Sequence, residues 1–236
     1  MRRRSQKKST GRNIVQFGVM LFCFGLSGVS FAEDMVCGKL NGHVIEVSRK
    51  YSAFWPEYEG KSSWEKGFIH NKKGCDANLE SLPMVMTWPG MMPANHTAYF
   101  VQALEFEGLS VNLEPLRRPN SNMRYALDFF LRETPGQWKE QVRFDERLGL
   151  FYVDGNDRVF AGRLNRYYWL ENSSEVSIVF ECLWLARENR FYTCEGRYVL
   201  NEIDTLVSID FTPEKMKEWK EVVGAVKTFV LSKVTK

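Results

Sequence analysis

Histidine is scarce in this sequence: the 236 residues contain three, His43, His70 and His96. A zinc site needs His, Cys or carboxylate side chains clustered at ligand spacing, and these histidines lie far apart in the sequence. His43 and Glu46 are three residues apart on a predicted strand, so their side chains point to opposite faces. We therefore expect no metal site and no cofactor. Any dispersed Ser-His-Asp arrangement would have to use one of these three histidines.

Familiar catalytic motifs are also missing. The chain contains no Gly-x-Ser-x-Gly nucleophile elbow. Gly60-Lys61-Ser62 resembles the end of a phosphate-binding loop, but Trp55 stands where that loop has its first glycine. Asp154-Gly155-Asn156-Asp157 lacks the downstream acidic ligand of a calcium loop and favours a turn instead. These absences favour a protein that is not an enzyme.

A long apolar run occurs once, at residues 14–29, directly after a start with six basic residues and no acid. Ser30-Phe31-Ala32 follows and places small residues three and one positions before Glu33. A basic start, a short apolar core and such an exit are typical of a secretory signal peptide. The alternative is an uncleaved membrane anchor, but the run is shorter than the roughly 20 apolar residues that a spanning helix needs. We expect residues 1–32 to be removed on export, with no stable membrane insertion of the rest.

The positive net charge of the chain, +3, belongs to this leader. Without its six basic residues, 26 basic and 29 acidic residues remain, which gives a net charge of −3. Nucleic-acid binding is indicated by a basic face, and the exported part has no basic tract interleaved with aromatic residues. We expect no nucleic-acid partner.

The cysteines beyond the leader are even in number: Cys37, Cys75, Cys182 and Cys194. An even number in an exported chain indicates disulfides. The β-rich runs 176–186 and 190–200 predict an antiparallel hairpin in which the numbers of opposed residues sum to 376. This register places Cys182 opposite Cys194, close enough for a disulfide. Cys37 is then left to pair with Cys75.

The same hairpin register makes further predictions. Asn189 takes the left-handed position of the loop. Glu181 faces Glu195 unfavourably, and Arg197 on the diagonal softens the repulsion. Three apolar pairs share one face: Trp184 with Tyr192, Ile178 with Tyr198, and Val176 with Leu200.

A strand and a helix are predicted after the hairpin. Residues 205–211 alternate apolar and polar side chains, as a half-buried strand does. Thr212-Pro213-Glu214 is a helix start, with a capping hydroxyl, a proline and an acid in the first turn. The helix presents one apolar stripe: Met216, Trp219, Val222, Val223, Val226 and Val230.

The middle of the chain also indicates β-structure. Residues 99–106 and 109–113 predict a hairpin about Glu107-Gly108, and residues 148–153 and 158–160 predict another about residues 154–157. Residues 125–131 fit either a strand or a helix, and residues 50–95 predict long loops with short elements.

The predicted fold class is α+β: rich in antiparallel β-sheet, with two lobes and a C-terminal amphipathic helix packed on the disulfide-linked hairpin sheet. The predicted domain organisation is a signal peptide at 1–32, an N-terminal lobe at 33–118 and a C-terminal α+β domain at 119–236.

Residues 82–93 are unusually rich in methionine and proline. Methionine surfaces that repack are used at binding sites, so the candidate partner-binding residues are Met84, Met86, Trp88, Met91 and Met92. The alternative is that they fill a core beneath a loop. Phe54, Trp55, Tyr58 and Trp64 likewise fit either a carbohydrate platform or, as is commoner for aromatic residues, the core.

The last third of the chain resembles the C-terminal domain of the periplasmic immunity proteins that pair with type VI secretion lipase effectors. The resemblance covers about residues 160–233 and follows this pattern: Phe180-Glu181-Cys182, Cys194-Glu195-Gly196-Arg197-Tyr198, Ile203-Asp204, Val207-Ser208-Ile209-Asp210-Phe211, Trp219, Val223, Val226 and Phe229.

The resemblance implies a non-enzymatic inhibitor in the periplasm. Its partner is then a cognate secreted toxin of the phospholipase or lipase type, which it neutralises by occlusion. The competing hypotheses are an exported envelope hydrolase of unfamiliar type, which requires a histidine beside a nucleophile or carboxylates, and a structural envelope component.

Overall fold

The structure, a computed structural model, describes residues 34–118, 120–132, 138–156, 163–185 and 188–235. The predicted leader, residues 1–32, lies outside these ranges. Residues Glu33–Lys236 form one compact unit. The described parts are mostly antiparallel β-sheet with three α-helices and two disulfides, which confirms the predicted α+β class. Among the described helices, none has both the length and the hydropathy required to cross a bilayer.

Twelve strands are described, numbered here in chain order. A small sheet has the order β1-β2-β12 and consists of β1 (Met35–Leu40), β2 (His43–Ser48) and β12 (Val234–Thr235). A second sheet contains the other nine described strands: β3 (Glu57–Tyr58), β4 (Leu79–Met86), β5 (Leu109–Pro115), β6 (Arg143–Asp145), β7 (Leu150–Asn156), β8 (Arg163–Asn172), β9 (Glu175–Leu185), β10 (Arg190–Leu200) and β11 (Thr205–Phe211).

The large sheet has the spatial order β3-β4-β5-β11-β10-β9-β8-β7-β6. The pairing of β5 with β11 joins a strand from the first predicted lobe to a strand from the second. Strands on both sides of the predicted boundary at residues 118–119 therefore belong to this one sheet.

The predicted hairpin of β9 and β10 is present. Cys182 opposes Cys194, and Ile178 opposes Tyr198, in the expected register. The disulfides are Cys182–Cys194 and Cys37–Cys75, the two predicted pairs. Asn189 has a φ of +52°, the left-handed conformation predicted for the loop.

Two details of the predicted register are wrong. Trp184 opposes Phe191 rather than Tyr192, because the register shifts by one residue between Phe191 and Thr193. Val176 does not share a face with Ile178. The register of β9 with β8 also shifts, so that Leu170 opposes Ile178 and Glu171 opposes Val176. Ser177 therefore has no opposed residue in β8, and the side chain of Val176 lies on the opposite face of the sheet from Ile178.

The C-terminal helix packs on one face of the large sheet. A 3₁₀ segment, Pro213–Glu218, leads into the last described α-helix, Trp219–Leu231. The predicted stripe is confirmed, since Val222, Val226 and Val230 are buried there. The Trp219 ring lies 5.5 Å from that of Phe180.

One feature of that helix start differs from the prediction. Thr212 makes no side-chain capping hydrogen bond to the backbone. Its Oγ1 atom instead accepts a hydrogen bond of 2.9 Å from Nζ of the buried Lys215.

The opposite face of the sheet is covered only in part. The helix at Arg124–Arg132, which settles the question left open for residues 125–131, buries Leu127 and Leu131 against β7, β8 and β9. Phe130 of this helix stacks on Tyr167 with 5.4 Å between ring centroids. Polar side chains of β5, β10 and β11 occupy the neighbouring part of this face.

One predicted hairpin and the predicted turn of a second one are wrong. Residues 99–106 are not a strand but a helix, His96–Gln102, followed by the 3₁₀ segment Ala103–Glu105. Residues 154–156 are not a turn but the end of β7, where Asp154 opposes and binds Arg166 of β8. The rest of the predicted second hairpin, residues 157–160, lies outside the described residues. The helices at His96–Gln102, Arg124–Arg132 and Trp219–Leu231 are called α1, α2 and α3 below.

Candidate protein-binding surface

Helix α1 exposes apolar side chains instead of burying them. Asn95 begins the helix, and its side chain accepts a hydrogen bond of 3.1 Å from the Ala98 amide. No residue of α1 is buried, although Phe100 and Val101 are large apolar residues. A surface helix normally turns an apolar stripe toward the core and a polar face toward water. The exposed apolar area on α1 is therefore a candidate contact for another molecule.

Helix α1, the 3₁₀ segment after it, Phe54 and the chain neighbour of Phe54 present apolar side chains, which we call the aromatic surface: Phe54, Trp55, Tyr99, Phe100, Val101 and Leu104. The ring of Phe54 meets those of Phe100 and Tyr99 edge to face, at centroid distances of 5.4 Å and 5.9 Å. The exposed fractions of Trp55 and Phe100 are 71% and 55%. Edge-to-face pairs fix the orientation of aromatic rings, so this surface is ordered before any partner binds.

A cavity of about 210 Å³ lies beside the aromatic surface. Tyr99, Leu104 and Phe106 form an apolar wall, and Asp210 of β11 lies on the polar side with Ser110. A long side chain with an aliphatic stem and a positive end matches this combination, because the stem packs on the wall while the charge meets the carboxylate. The cavity therefore suits a lysine or arginine of a protein partner.

The pKa of the Asp210 carboxyl lies well above its ordinary value. Packing around the cavity removes water from the carboxylate and, with the negative charge of Glu195, raises its pKa to about 7. Arg197 and a hydrogen bond with Ser110 act in the opposite direction. Asp210 as a whole residue is nevertheless exposed to solvent. A cation entering the cavity would favour the ionised carboxylate.

Carboxylates continue from Asp210 across the neighbouring strands. Glu195 opposes Asp210 on one side and Glu181 on the other, as the hairpin register predicts. Arg197 donates two hydrogen bonds to the Glu195 carboxylate, at 2.6 Å and 2.9 Å. Asn165 donates one of 2.8 Å to Glu181. The two hydrogen bonds from Arg197 to Glu195 are the interaction that was predicted to soften the repulsion between Glu181 and Glu195.

Ion pairs attach the segment after α1 to the sheet. Arg190 at the start of β10 binds the carboxylates of Glu105 and Glu188. Nζ of Lys215 lies 3.5 Å from Oε2 of Glu107. These contacts join residues 105–107 to the start of β10 and to the 3₁₀ segment that follows β11. They keep the apolar wall of the cavity in place.

The predicted methionine site is only partly accessible. Met84 and Met86 point into the main core from β4 and are completely buried, which corrects their assignment as contact residues. Trp88 and Met91 are partly buried against the same core. Met92 is exposed, so the predicted contact role is compatible with the fold only at the edge of this segment.

The four aromatic residues considered as a possible carbohydrate platform lie in three different parts of the fold. Tyr58 is buried, and its hydroxyl donates a hydrogen bond of 2.8 Å to the Cys37 carbonyl. Phe54 and Trp55 belong to the aromatic surface, and Trp64 lies exposed on a different loop. The sequence reasoning missed α1 itself, although Asn95 before an apolar run is a helix-start signal.

The structure does not bring the three histidines together. His43 begins β2, His70 ends a 3₁₀ turn, and Nε2 of His96 lies 2.8 Å from the Lys50 carbonyl oxygen. None of the three lines the cavity at Asp210 or those at Asn41, Gly60 and Gln102. Within the described ranges, no group of three or more His, Cys, Asp or Glu side chains is arranged to hold a metal ion.

No protein-family model matches the chain, and no curated protein matches it by sequence. A solved structure is similar in fold: that of Smlt3025, described as an immunity protein of the Stenotrophomonas maltophilia type IV secretion system. The TM-score is 0.51 at 12% sequence identity, over 86% of this chain and 95% of that one. At this identity the likeness concerns the fold. It extends beyond the C-terminal third that carries the sequence resemblance.

Proposed function

We propose that this chain is an immunity protein that neutralises a secreted toxin by binding and occluding it. The observation that carries the proposal is the aromatic surface beside the Asp210 cavity, since exposed, ordered aromatic side chains are typical anchors of protein interfaces. The fold shared with Smlt3025 supports the same class of function.

The finer part of the proposal concerns the place and the toxin. The basic and apolar leader and the paired cysteines support action in the periplasm after export. The residue pattern over 160–233 supports a phospholipase or lipase effector of type VI secretion as the toxin. The structural neighbour belongs to a type IV system, so the two likenesses agree on toxin immunity and differ in the secretion system.

Co-purification with the product of the adjacent gene tests the proposal. The processed chain should form a stable complex that buries on the order of 1,600 Å² or more. In that complex the toxin's hydrolysis of phospholipid vesicles should fall in proportion to the chain added, with no turnover by the chain itself. A correctly exported chain that neither binds the toxin nor protects cells from it would contradict the proposal.

A further inference from the structure

Ala103, the residue directly after helix α1, has a strained backbone. Its φ is +49° and its ψ is −119°, a combination outside the left-handed α region that residues other than glycine visit. Asp204, by contrast, has a φ of +45° and a ψ of +49° and lies within that region. A conformation like that of Ala103 costs free energy in an alanine and persists only where the surrounding structure imposes it.

Contacts on either side of α1 impose this conformation. Before the helix, the amide of the buried Ala94 donates a hydrogen bond of 3.2 Å to the Val85 carbonyl on β4. After the helix, the Glu105 carboxylate pairs with Arg190 at the start of β10. The stretch 95–104 is thus fixed to the large sheet at both of its ends.

Between these anchors the stretch 95–104, which we call the strap, is held by partly exposed side chains alone. None of its residues is buried, and α1 has seven residues, fewer than the roughly 12 that an isolated helix needs in water. Tyr99, Ala103 and Leu104 of the strap line the cavity at Asp210. Segments with few buried contacts open locally at a lower free energy than that of global unfolding.

We infer that the strap lifts from the sheet and that the proposed toxin binds the chain in this open form. The strain at Ala103 is present in the closed form and relaxes in the open one, so it lowers the free energy of opening. Lifting removes one wall of the cavity and gives a cationic side chain direct access to Asp210. The closed form is the ordered state described above, and the open form is a minor state. The binding half of the inference rests on the proposed function, whereas the lifting does not.

Native-state hydrogen exchange of the processed chain, followed by NMR, tests the lifting without a toxin. The amides of residues 99–103 should exchange at a rate that low concentrations of urea leave unchanged, because local opening exposes little buried surface. The amides of β10 and β11 should exchange more slowly and should become faster with urea, as global unfolding does. Strap amides with the same urea dependence as those of β10 would overturn the lifting.

Two alanine-to-glycine variants should change the protection of the strap amides in opposite directions. Ala103→Gly removes the strain and should raise this protection about fivefold or more, after allowance for the greater freedom of glycine in the open form. Ala98→Gly, the matched control inside α1, weakens the helix and should lower the protection about two- to fivefold. A decrease in both variants would overturn the assignment of strain to Ala103.

The affinity for the toxin tests the binding half. The apparent Kd varies inversely with the open fraction, so Ala103→Gly should raise Kd about fivefold or more and Ala98→Gly should lower it about two- to fivefold. An unchanged Kd in both variants, with exchange altered as expected, would show that the toxin binds the closed strap and would overturn this half. A chain that binds no toxin contradicts the proposed function instead, and the exchange rates still decide whether the strap lifts.

Discussion

Asp210 connects folding stability with partner binding, because its carboxyl lies beside the cavity under α1. Its pKa is raised from 3.8 to about 7, chiefly by burial and then by Glu195. Between these pH values the folded chain binds more protons at this site than the unfolded chain does. The contribution of Asp210 to stability therefore becomes less favourable as the pH rises through this window.

The first prediction concerns Asp210→Asn. The variant should lose the part of the pH dependence of unfolding that arises between about pH 4 and pH 7, and it should gain stability relative to the wild type at the upper end. Urea unfolding of both proteins across this range measures the difference. A wild-type stability that rises between pH 5 and pH 7 as steeply as that of the variant would contradict the raised pKa.

The same carboxyl predicts how partner binding depends on pH. A cationic side chain from the toxin would pair with the ionised carboxylate, so the affinity of the wild type should fall as the pH drops below about 7. Asp210→Asn should bind more weakly at high pH and show a smaller pH dependence. Titration calorimetry at several pH values checks this, and identical pH profiles for the two proteins would exclude Asp210 from the interface.

Among the elements, the Cys37–Cys75 disulfide has a testable role in joining β1 to the segment before β4. It closes a loop of 38 residues, for which chain entropy predicts about 4 kcal/mol of stabilisation. Cys75 is exposed, so its replacement removes little packing, whereas Cys37 is buried and its replacement adds a packing loss to the entropic one. Cys37→Ala/Cys75→Ala should lower the free energy of unfolding in urea by at least about this amount. A loss below about 1 kcal/mol would show that the disulfide barely constrains the unfolded chain.

The elements predicted correctly are those whose burial repeats with a clear period. Thr205–Phe211 alternates and forms β11 with the predicted bounds, and the 3.6-residue stripe of α3 is buried as expected. The hairpin of β9 and β10 was predictable because the cysteine pair fixes its register. The bulges at Ser177 and Tyr192 were not predictable, because a single extra residue leaves no mark on the apolar pattern.

The elements predicted wrongly lack such a regular alternation of apolar and polar residues. Helix α1 has apolar residues on the side that faces water, so its sequence carries no polar face by which a surface helix is recognised. Strand β4 contains Pro83, which argues against a strand interior from sequence alone. Pro83 nevertheless opposes Asn112 of β5, and the Ser52 hydroxyl donates a hydrogen bond of 3.3 Å to its carbonyl.

The candidate site was the least predictable part of the molecule. Aromatic residues are usually buried, and the sequence gives no reason to treat Tyr58 and Trp55 differently. Their separation depends on where β3 and α1 lie around the large sheet. Asp210 likewise appears in the sequence only as the polar member of an alternating strand.

In the whole molecule, the two helices α2 and α3 cover opposite faces of the large sheet and leave the aromatic surface outside both cores. Exposed apolar area of this kind costs solubility unless a partner covers it. The fold is similar to that of Smlt3025, and the function proposed for the chain is immunity to a toxin. The central claim is therefore that the chain acts by binding, and that the aromatic surface is where the toxin binds.

The affinity of the processed chain for its toxin, measured for the wild type, Phe100→Ala and Phe129→Ala, tests this claim most directly. Phe129 on α2 is a matched control, since it is 58% exposed against 55% for Phe100. Phe100→Ala should cost about 2 kcal/mol, on the order of 30-fold in Kd, while Phe129→Ala should bind as the wild type does. Equal affinities for Phe100→Ala and the wild type, or a loss confined to Phe129→Ala, would contradict it.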